Sequence, residues 1–154
     1  MSAHVLVRVP GKINLQLSVG PLQKDGFHPV ATVFQAVSIF DDVKVELNDD
    51  GLVHVQSTAK VNNHLPLDKE NLAVKAVELM RKKFSITDGI TITLTKEIPI
   101  AGGMAGGSAN AGAAIVGMDA LFNLGLKRND MEKIGAELGA DVPFTISGGT
   151  AIGT

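Results

Sequence analysis

Alternation of hydrophobic and polar positions predicts strands throughout the first third of the chain. Residues 5–9 and 15–19 place an apolar side chain at every second position, which is typical of a β-strand. Proline and glycine at positions 10 and 11 predict that residues 10–14 (P-G-K-I-N) link two separate strands. Residues 32–40 are apolar and rich in β-branched side chains, which predicts a buried strand. Apolar and charged residues alternate over 43–47, which predicts a strand with one face exposed to solvent.

In the middle of the chain, the spacing of apolar residues changes between that of strands and that of a helix. Asn-Asp-Asp-Gly at 48–51 has the composition of a hairpin turn, which predicts that residues 53–56 fold back on the preceding strand. Residues 57–70 have the composition of a surface connection. Apolar residues then recur at helical spacing, which predicts an amphipathic helix with Asn71 as its N-cap. Isoleucine or leucine alternates with threonine over residues 90–95, which is the clearest strand signal in the chain.

The last third predicts two helices and a final strand. The first helix follows a glycine-rich segment, and because Gly112 and Gly117 weaken it, we expect close packing against a neighbour there. Asn129 is expected to cap the second helix, and residues 144–152 are expected to form a strand. Strands followed by helices that cover one face of a sheet indicate an α+β fold.

Composition narrows the possible classes of partner. The 154 residues suit one domain with a core, and a net charge of −2 with mixed charges argues against nucleic acid or an anionic membrane as main partner. The chain has no cysteine, and its four histidines lack ligand spacing, so no protein-held metal is expected. No apolar run has the length of a membrane span and the N-terminus lacks a signal-peptide pattern, so we expect a cytoplasmic protein.

Residues 98–114 read I-P-I-A-G-G-M-A-G-G-S-A-N-A-G-A-A and join the threonine-rich strand to a helix. Glycine lets the backbone approach a ligand closely, and a helix N-terminus presents free N–H groups and partial positive charge. The segment therefore predicts an anion site, most often one for phosphate. No lysine follows the glycines as in a Walker A loop, and the spacing differs from G-x-G-x-x-G. The alternative is a glycine-rich turn with no ligand.

Three short motifs carry further candidate residues, each with a plainer alternative. Lys12 in P-G-K-I-N is either functional or a solvated lysine. Phe27 and His28, in a predicted loop at 20–29, suit a planar ligand, but Phe27 could plug the core and His28 lie on the surface. Asp141 in G-A-D-V-P is either a turn cap or a catalytic base.

These motifs in this order, P-G-K-I-N at 10–14, D-G-F-H at 25–28, the glycine segment at 99–111 and G-A-D-V-P at 139–143, resemble the GHMP kinase superfamily. The D-G-F-H loop resembles the branch that phosphorylates the 2-hydroxyl of a cytidine diphosphate-linked methylerythritol in non-mevalonate isoprenoid synthesis. The resemblance implies a ribosomal-S5-domain-2-like sandwich, with residues 1–154 as the N-terminal ATP-binding domain.

The resemblance also implies a role for each motif. ATP and Mg²⁺ would be the cofactors, Asp141 would accept the proton of the attacking hydroxyl, and Lys12 would neutralise charge beside it. Asn14, Phe27 and His28 would bind substrate. The ATP phosphates would be bound by the segment Pro99, Ile100, Ala101, Gly102, Gly103, Met104, Ala105, Gly106, Gly107, Ser108 and Ala109. We expect Gly106→Val to abolish nucleotide binding while sparing the fold.

Two departures from the family pattern set further expectations. Phe27 replaces the usual tyrosine, which keeps the ring face and loses the hydroxyl. Family members continue into a second, C-terminal domain that is absent from this chain, so we expect weak nucleotide binding, weaker substrate binding and little turnover. Exposed helix faces would then favour a homodimer. The alternatives are a non-catalytic nucleotide-binding module or another GHMP small-molecule kinase.

Overall fold

The computed structural model describes residues 3–58 and 65–154, so residues 59–64 of the predicted connection lie outside the described residues. The elements are β1 (His4–Val19), β2 (Val30–Asn48), β3 (Val53–Ser57), α1 (Leu72–Phe84), β4 (Gly89–Thr95), α2 (Gly106–Phe122), α3 (Arg128–Ala136), α4 (Val142–Ser147) and β5 (Thr150–Gly153). The α+β prediction is confirmed.

A five-stranded sheet forms the base of the fold. Its strands lie in the order β1-β2-β4-β3, and β5 pairs with β2 beside the first half of that strand. The long antiparallel pair β1–β2 sets Val5 opposite Val45 at one end and Val19 opposite Val30 at the other. Helix α2 packs on β1 and β2, and α1 packs on α2 and on the β3–β4 edge. The core lies between the helices and the inward-facing residues of β2 and β4.

The predicted hairpin between β2 and β3 is wrong, because β4 lies between these strands and pairs with β3 in parallel. The turn at 48–51 instead encloses the start of β4. Asn48 donates its amide to the Leu52 carbonyl and the Thr91 hydroxyl, 3.1 Å each, and Ile90 N–H donates to the Leu52 carbonyl at 2.9 Å. The three apolar residues of β4 are fully buried. Burial on this scale explains why β4 takes the central position and the half-polar β3 takes the edge.

Four other local predictions are wrong. Strand β1 runs straight through residues 10–14, with a shift in register and no break. Residues 32–40 form a strand, but Thr32 is the only buried residue among them. Of the strand expected at 144–152, only the end forms a strand, β5. Residues 144–147 belong to helix α4 instead, because Pro143 lies in the first turn of that helix, where proline suits a helix. The N-cap of α3 is Lys127, so Asn129 lies inside the helix and caps nothing.

The predictions for α1 and β4 are confirmed. The Asn71 side chain accepts the Ala73 N–H at 2.9 Å, which caps α1, and the predicted inward residues of that helix pack in the core. The expected close packing at the two glycines of α2 is also confirmed. A Cβ on Gly117 would lie 2.7 Å from Cγ2 of Val45, and a Cβ on Gly112 would collide with the Thr145 side chain.

Gly117→Ala is therefore expected to destabilise the protein by about 1–3 kcal/mol, because overpacking against β2 outweighs the gain of about 1 kcal/mol in helix propensity. Urea unfolding followed by circular dichroism measures this, since the chain has no tryptophan or tyrosine. Gly107→Ala is the control on the same helix, because its methyl group would meet only Leu72, at 3.5 Å. Equal stability of the two variants would contradict the packing account.

Candidate active site

The segment between β4 and α2 lines a cavity of about 420 Å³. Lys12 of β1, Leu72 of α1 and Asp141 before α4 close its other sides, so residues from four parts of the chain meet there. The remaining lining residues are Pro99, Ala101, Gly102, Gly103, Met104, Ala105, Gly106, Gly107 and Ser108. Of the segment expected to contact ATP, only Ile100 and Ala109 lie outside this lining.

The sign of φ alternates along the loop between Ala101 and Ala105. Ala101, Gly103 and Ala105 have φ of 59°, 71° and 56°, and the residues between them keep negative φ. Such alternation turns successive N–H groups towards one side and forms a concave site for anions. An alanine in the left-handed region costs about 1–2 kcal/mol. The surroundings of the loop must therefore impose this conformation at two positions.

Helix α2 begins within the glycine segment and adds to the same site. Its first residue is Gly106 and its N-cap is Ala105, and no side-chain hydrogen bond caps it among the described residues. The first intrahelical bond is donated by Ala109 to the Ala105 carbonyl at 2.8 Å. The N–H groups of Gly106, Gly107 and Ser108 therefore have no partner within the helix, and they carry the positive end of the helix dipole. Ala109 itself is buried, and its N–H is already used.

The two glycines at the start of α2 differ in their surroundings. A Cβ on Gly106 would lie 3.1 Å from Nζ of Lys96 and 3.2 Å from Cγ2 of Ile98, so a valine there would also disturb the interior. Gly106→Val would therefore strain the packing of Lys96 and Ile98, so it does not separate nucleotide binding from the fold. Gly107 is exposed at the cavity and would meet only Leu72.

Lys12 faces the cavity because of the register shift between Pro10 and Lys12. Its N–H donates to the Met104 carbonyl at 3.1 Å, which seats the loop on β1. Its side chain is only 8% exposed, and Nζ lies 3.8 Å from Oδ2 of Asp141. Nζ also lies 5.5 Å from the ring centroid of Phe34, which stacks on Phe144 of α4. The interpretation of Lys12 as an ordinary solvated lysine is wrong.

Asp141 occupies the N-cap position of α4 but forms no side-chain capping bond there. Its carboxylate is 37% exposed and faces Lys12 across a gap longer than a direct hydrogen bond. A carboxylate that is paired by charge and still open to the cavity can accept a proton from a bound hydroxyl.

Asn14 orients Lys12. Its Oδ1 accepts a hydrogen bond from Lys12 Nζ at 2.7 Å, and its amide donates to the Thr32 hydroxyl at 2.6 Å. That hydroxyl donates to the Gln16 carbonyl at 2.7 Å. Thr32 is buried, and the only signal for it in the sequence was a hydroxyl residue at the start of an apolar run.

Phe27 and His28 lie away from this cavity, in the loop that joins β1 to β2. The strand segment from Lys12 to Val19, about 23 Å long at 3.3 Å per residue, lies between the lysine and this loop. Phe27 is 75% exposed, so it does not plug the core. His28 Nδ1 hydrogen-bonds with the Gly20 carbonyl at 2.7 Å, which fixes the ring orientation.

A polar cluster that the sequence did not reveal lies beneath the loop. Asp41, Lys96 and Asn110 are buried and hydrogen-bonded to one another. Within the described parts of the chain, no three His, Cys, Asp or Glu residues are grouped so that they could hold a metal ion. None of the helices in the same described residues has the length and apolar character needed to cross a membrane.

Comparison with known proteins agrees with this geometry. The family model described as GHMP kinases N terminal domain matches residues 71–149, slightly more than half of the chain. The chain therefore belongs to the GHMP kinase family. It is 48% identical over 150 residues to the 4-diphosphocytidyl-2-C-methyl-D-erythritol kinase of Leifsonia xyli. The matched region covers 97% of this chain and 49% of that protein. It is 49% identical over 154 residues to the same kinase of Mycolicibacterium gilvum, with 99% and 47% covered.

Solved structures give the same family and fold. A crystal structure of 4-(cytidine 5'-diphospho)-2C-methyl-D-erythritol kinase has a TM-score of 0.77 and 32% identity, over 97% of this chain and 52% of that one. The mevalonate kinase of Methanococcus jannaschii has a TM-score of 0.75 at 14% identity, over 99% and 54%, which shows the shared fold alone. The chain spans about half the length of the curated relatives it matches.

Proposed function

We propose that this chain, with residues 1–154 as the ATP-binding domain, forms the phosphoryl-transfer site of a 4-diphosphocytidyl-2-C-methyl-D-erythritol kinase. The reaction transfers the γ-phosphoryl of ATP to the 2-hydroxyl of the erythritol unit. The observation that carries the proposal is the meeting of Lys12 and Asp141 at the edge of a cavity walled by backbone N–H groups. The names of relatives at 48% and 49% identity supply the substrate.

The loop and the start of α2 hold the phosphates of ATP. Phosphoryl transfer proceeds through a loose transition state with charge spread over the equatorial oxygens, so positioning and electrostatics supply most of the catalysis. The alternating loop backbone and the free N–H groups of α2 provide fixed donors that need no reorganisation during the reaction. The hydrogen bond from Lys12 N–H to the Met104 carbonyl holds this part of the loop against β1.

Asp141 and Lys12 act at the transferring group. The substrate hydroxyl oxygen forms a bond to the γ-phosphorus, the bond from that phosphorus to the β–γ bridging oxygen breaks, and ADP leaves. The hydroxyl proton passes to the Asp141 carboxylate. The Lys12 ammonium lies beside both the base and the developing charge, and Asn14 keeps it there.

The residues around the cavity suit Mg²⁺, which prefers oxygen ligands and keeps much of its coordination for water and nucleotide phosphates. The Ser108 hydroxyl is the side-chain oxygen that would hold it beside the nucleotide phosphates. When bound, the ion neutralises charge on the transferring phosphates.

Phe27 and His28 bind the cytosine at the far end of the substrate. An exposed phenylalanine ring offers a stacking face worth about 1–3 kcal/mol, and the fixed imidazole offers a hydrogen-bonding edge. They lie outside the cavity that holds Lys12, as expected for a substrate whose base and reactive alcohol are separated by a diphosphate.

Isothermal titration of the chain with a non-hydrolysable ATP analogue, and separately with 4-diphosphocytidyl-2-C-methyl-D-erythritol, tests the proposal. Weak binding of the analogue and much weaker binding of the cytidine substrate are expected. Binding of the analogue without the cytidine substrate, while homoserine or mevalonate binds, would indicate another GHMP kinase. Absence of analogue binding would contradict the proposed phosphate site.

Gly107→Val is expected to weaken binding of the ATP analogue at least 10-fold, because the side chain would fill space where phosphate approaches the backbone. The matched control is Ala120→Val, which introduces the same residue at an exposed position near the other end of α2. Titration calorimetry measures both variants. If Gly107→Val folds and binds as tightly as Ala120→Val, the loop does not hold the phosphates.

In a protein that also carries the second GHMP domain and so a complete cleft, Asp141→Asn is expected to lower turnover in steady-state kinetics by about 10²-fold or more, because the amide cannot take the proton, while KM changes little. Affinity for the ATP analogue should not fall, since the substitution removes a negative charge near the γ-phosphate. Lys12→Met should weaken that affinity, since it removes a positive charge. Full turnover in Asp141→Asn would show that Asp141 is only a turn residue and not the base.

A further inference from the structure

A closed, buried cluster is formed by Asp41, Lys96 and Asn110. It lies directly beneath the loop before α2 (residues 99–105), here called the phosphate loop. Asp41 is fully buried, Asn110 is 1% exposed, and the Lys96 side chain is 5% exposed. The proposed reaction uses none of these groups, although an ion pair this deep is costly to desolvate.

The two oxygens of Asp41 have different partners. Oδ1 accepts the backbone N–H groups of Glu97 and Ile98, at 2.8 and 2.9 Å. Oδ2 accepts the side-chain amide of Asn110 at 2.8 Å and the ammonium of Lys96. Lys96 also donates to Oδ1 of Asn110 at 3.0 Å, which closes the ring of contacts.

These partners lie at both ends of the phosphate loop. Glu97 and Ile98 come immediately before Pro99, where the loop begins, and Asn110 lies in the second turn of α2, where the loop has ended. Lys96 Nζ is 3.1 Å from the position of a Cβ on Gly106, so the cluster also touches the first residue of the helix. One carboxylate on β2 therefore joins the entry and the exit of the loop.

Fold stability alone explains this cluster poorly. Apolar residues of similar volume often stabilise a buried site as well as an ion pair does, and the neighbouring interior around Ile98 is apolar. What apolar residues cannot supply is directional hydrogen bonding to the two N–H groups before the loop. The loop needs such restraint, because Ala101 and Ala105 adopt left-handed conformations that alanine disfavours.

We propose that Asp41 and Asn110 are positioning residues that hold the loop in its phosphate-binding conformation by fixing both of its ends. The phosphate-binding role of the loop in this inference rests on the proposed function. The restraint on the two ends of the loop rests on the hydrogen bonds alone. Asn110→Leu tests it, because leucine has a similar volume and leaves the Asp41–Lys96 pair, but removes the link to α2.

Hydrogen exchange and titration of the 154-residue chain together separate positioning from stability. In Asn110→Leu, the amides of Lys12, Glu97, Ile98 and Ala109 should exchange at least 10-fold faster, while those of α1 change far less. The Kd for a non-hydrolysable ATP analogue should rise at least 10-fold. The matched control is Met80→Ala, which opens a cavity in α1 at a fully buried residue. It should lower Tm without weakening binding of the analogue when both variants are compared well below Tm.

Exchange in Asn110→Leu that is unchanged, or that rises uniformly across the chain as in Met80→Ala, would overturn the proposal. Unchanged analogue affinity alongside faster loop exchange would overturn it too, because the fixed ends would then be irrelevant to binding. If the wild-type chain binds no analogue, the proposed function fails, and the exchange pattern alone decides whether the cluster restrains the loop. Asn110→Ala gives the same readouts should the leucine variant not fold.

Discussion

The shift of register between Pro10 and Lys12 determines which side chains reach the site. Before it, Val9 faces the core, and after it, Lys12 and Asn14 face the helices while Ile13 and Leu15 are exposed. Because side chains alternate along a strand, unbroken alternation would have pointed the lysine away and the leucine inward. A bulge of this kind re-aims side chains at functional sites. The buried charge of Lys12 and the bond from its N–H to the loop both follow from it.

The loop depends on that strand and on the helices around it. Its two left-handed alanines are unfavourable in isolation, so contacts outside the loop must hold them. The Lys12–Met104 bond fixes its middle, and the bonds from Glu97 and Ile98 to Asp41 fix its start. The close approach of α2 to β2 at Gly117 sets the direction of the helix that follows. The conformation of the proposed anion site therefore depends on contacts throughout the packed domain.

Local signals predicted the parts of the fold that local chemistry controls. The cap at Asn71, the alternation of β4 and the glycine segment before α2 each depend on a few neighbouring residues. The hairpin prediction at 48–51 was wrong because the choice of partner for β3 depends on burial of β4, far along the chain. Lys12 and Asp141 could be named from motifs. Thr32, Asp41 and Asn110 could not, because their importance comes from contacts between distant strands and helices.

Two lysine–aspartate pairs lie on either side of the same loop, and burial gives them opposite roles. Asp41 has no exposure, and four donors occupy its oxygens, so neither oxygen is open to a ligand. Asp141 is 37% exposed and lies 3.8 Å from its lysine, which supplies charge without occupying the carboxylate in a short hydrogen bond. The same two residue types therefore form a fixed support beneath the loop and a chemically available pair above it. Hydrogen-bond saturation, more than residue identity, distinguishes the structural carboxylate from the proposed catalytic one.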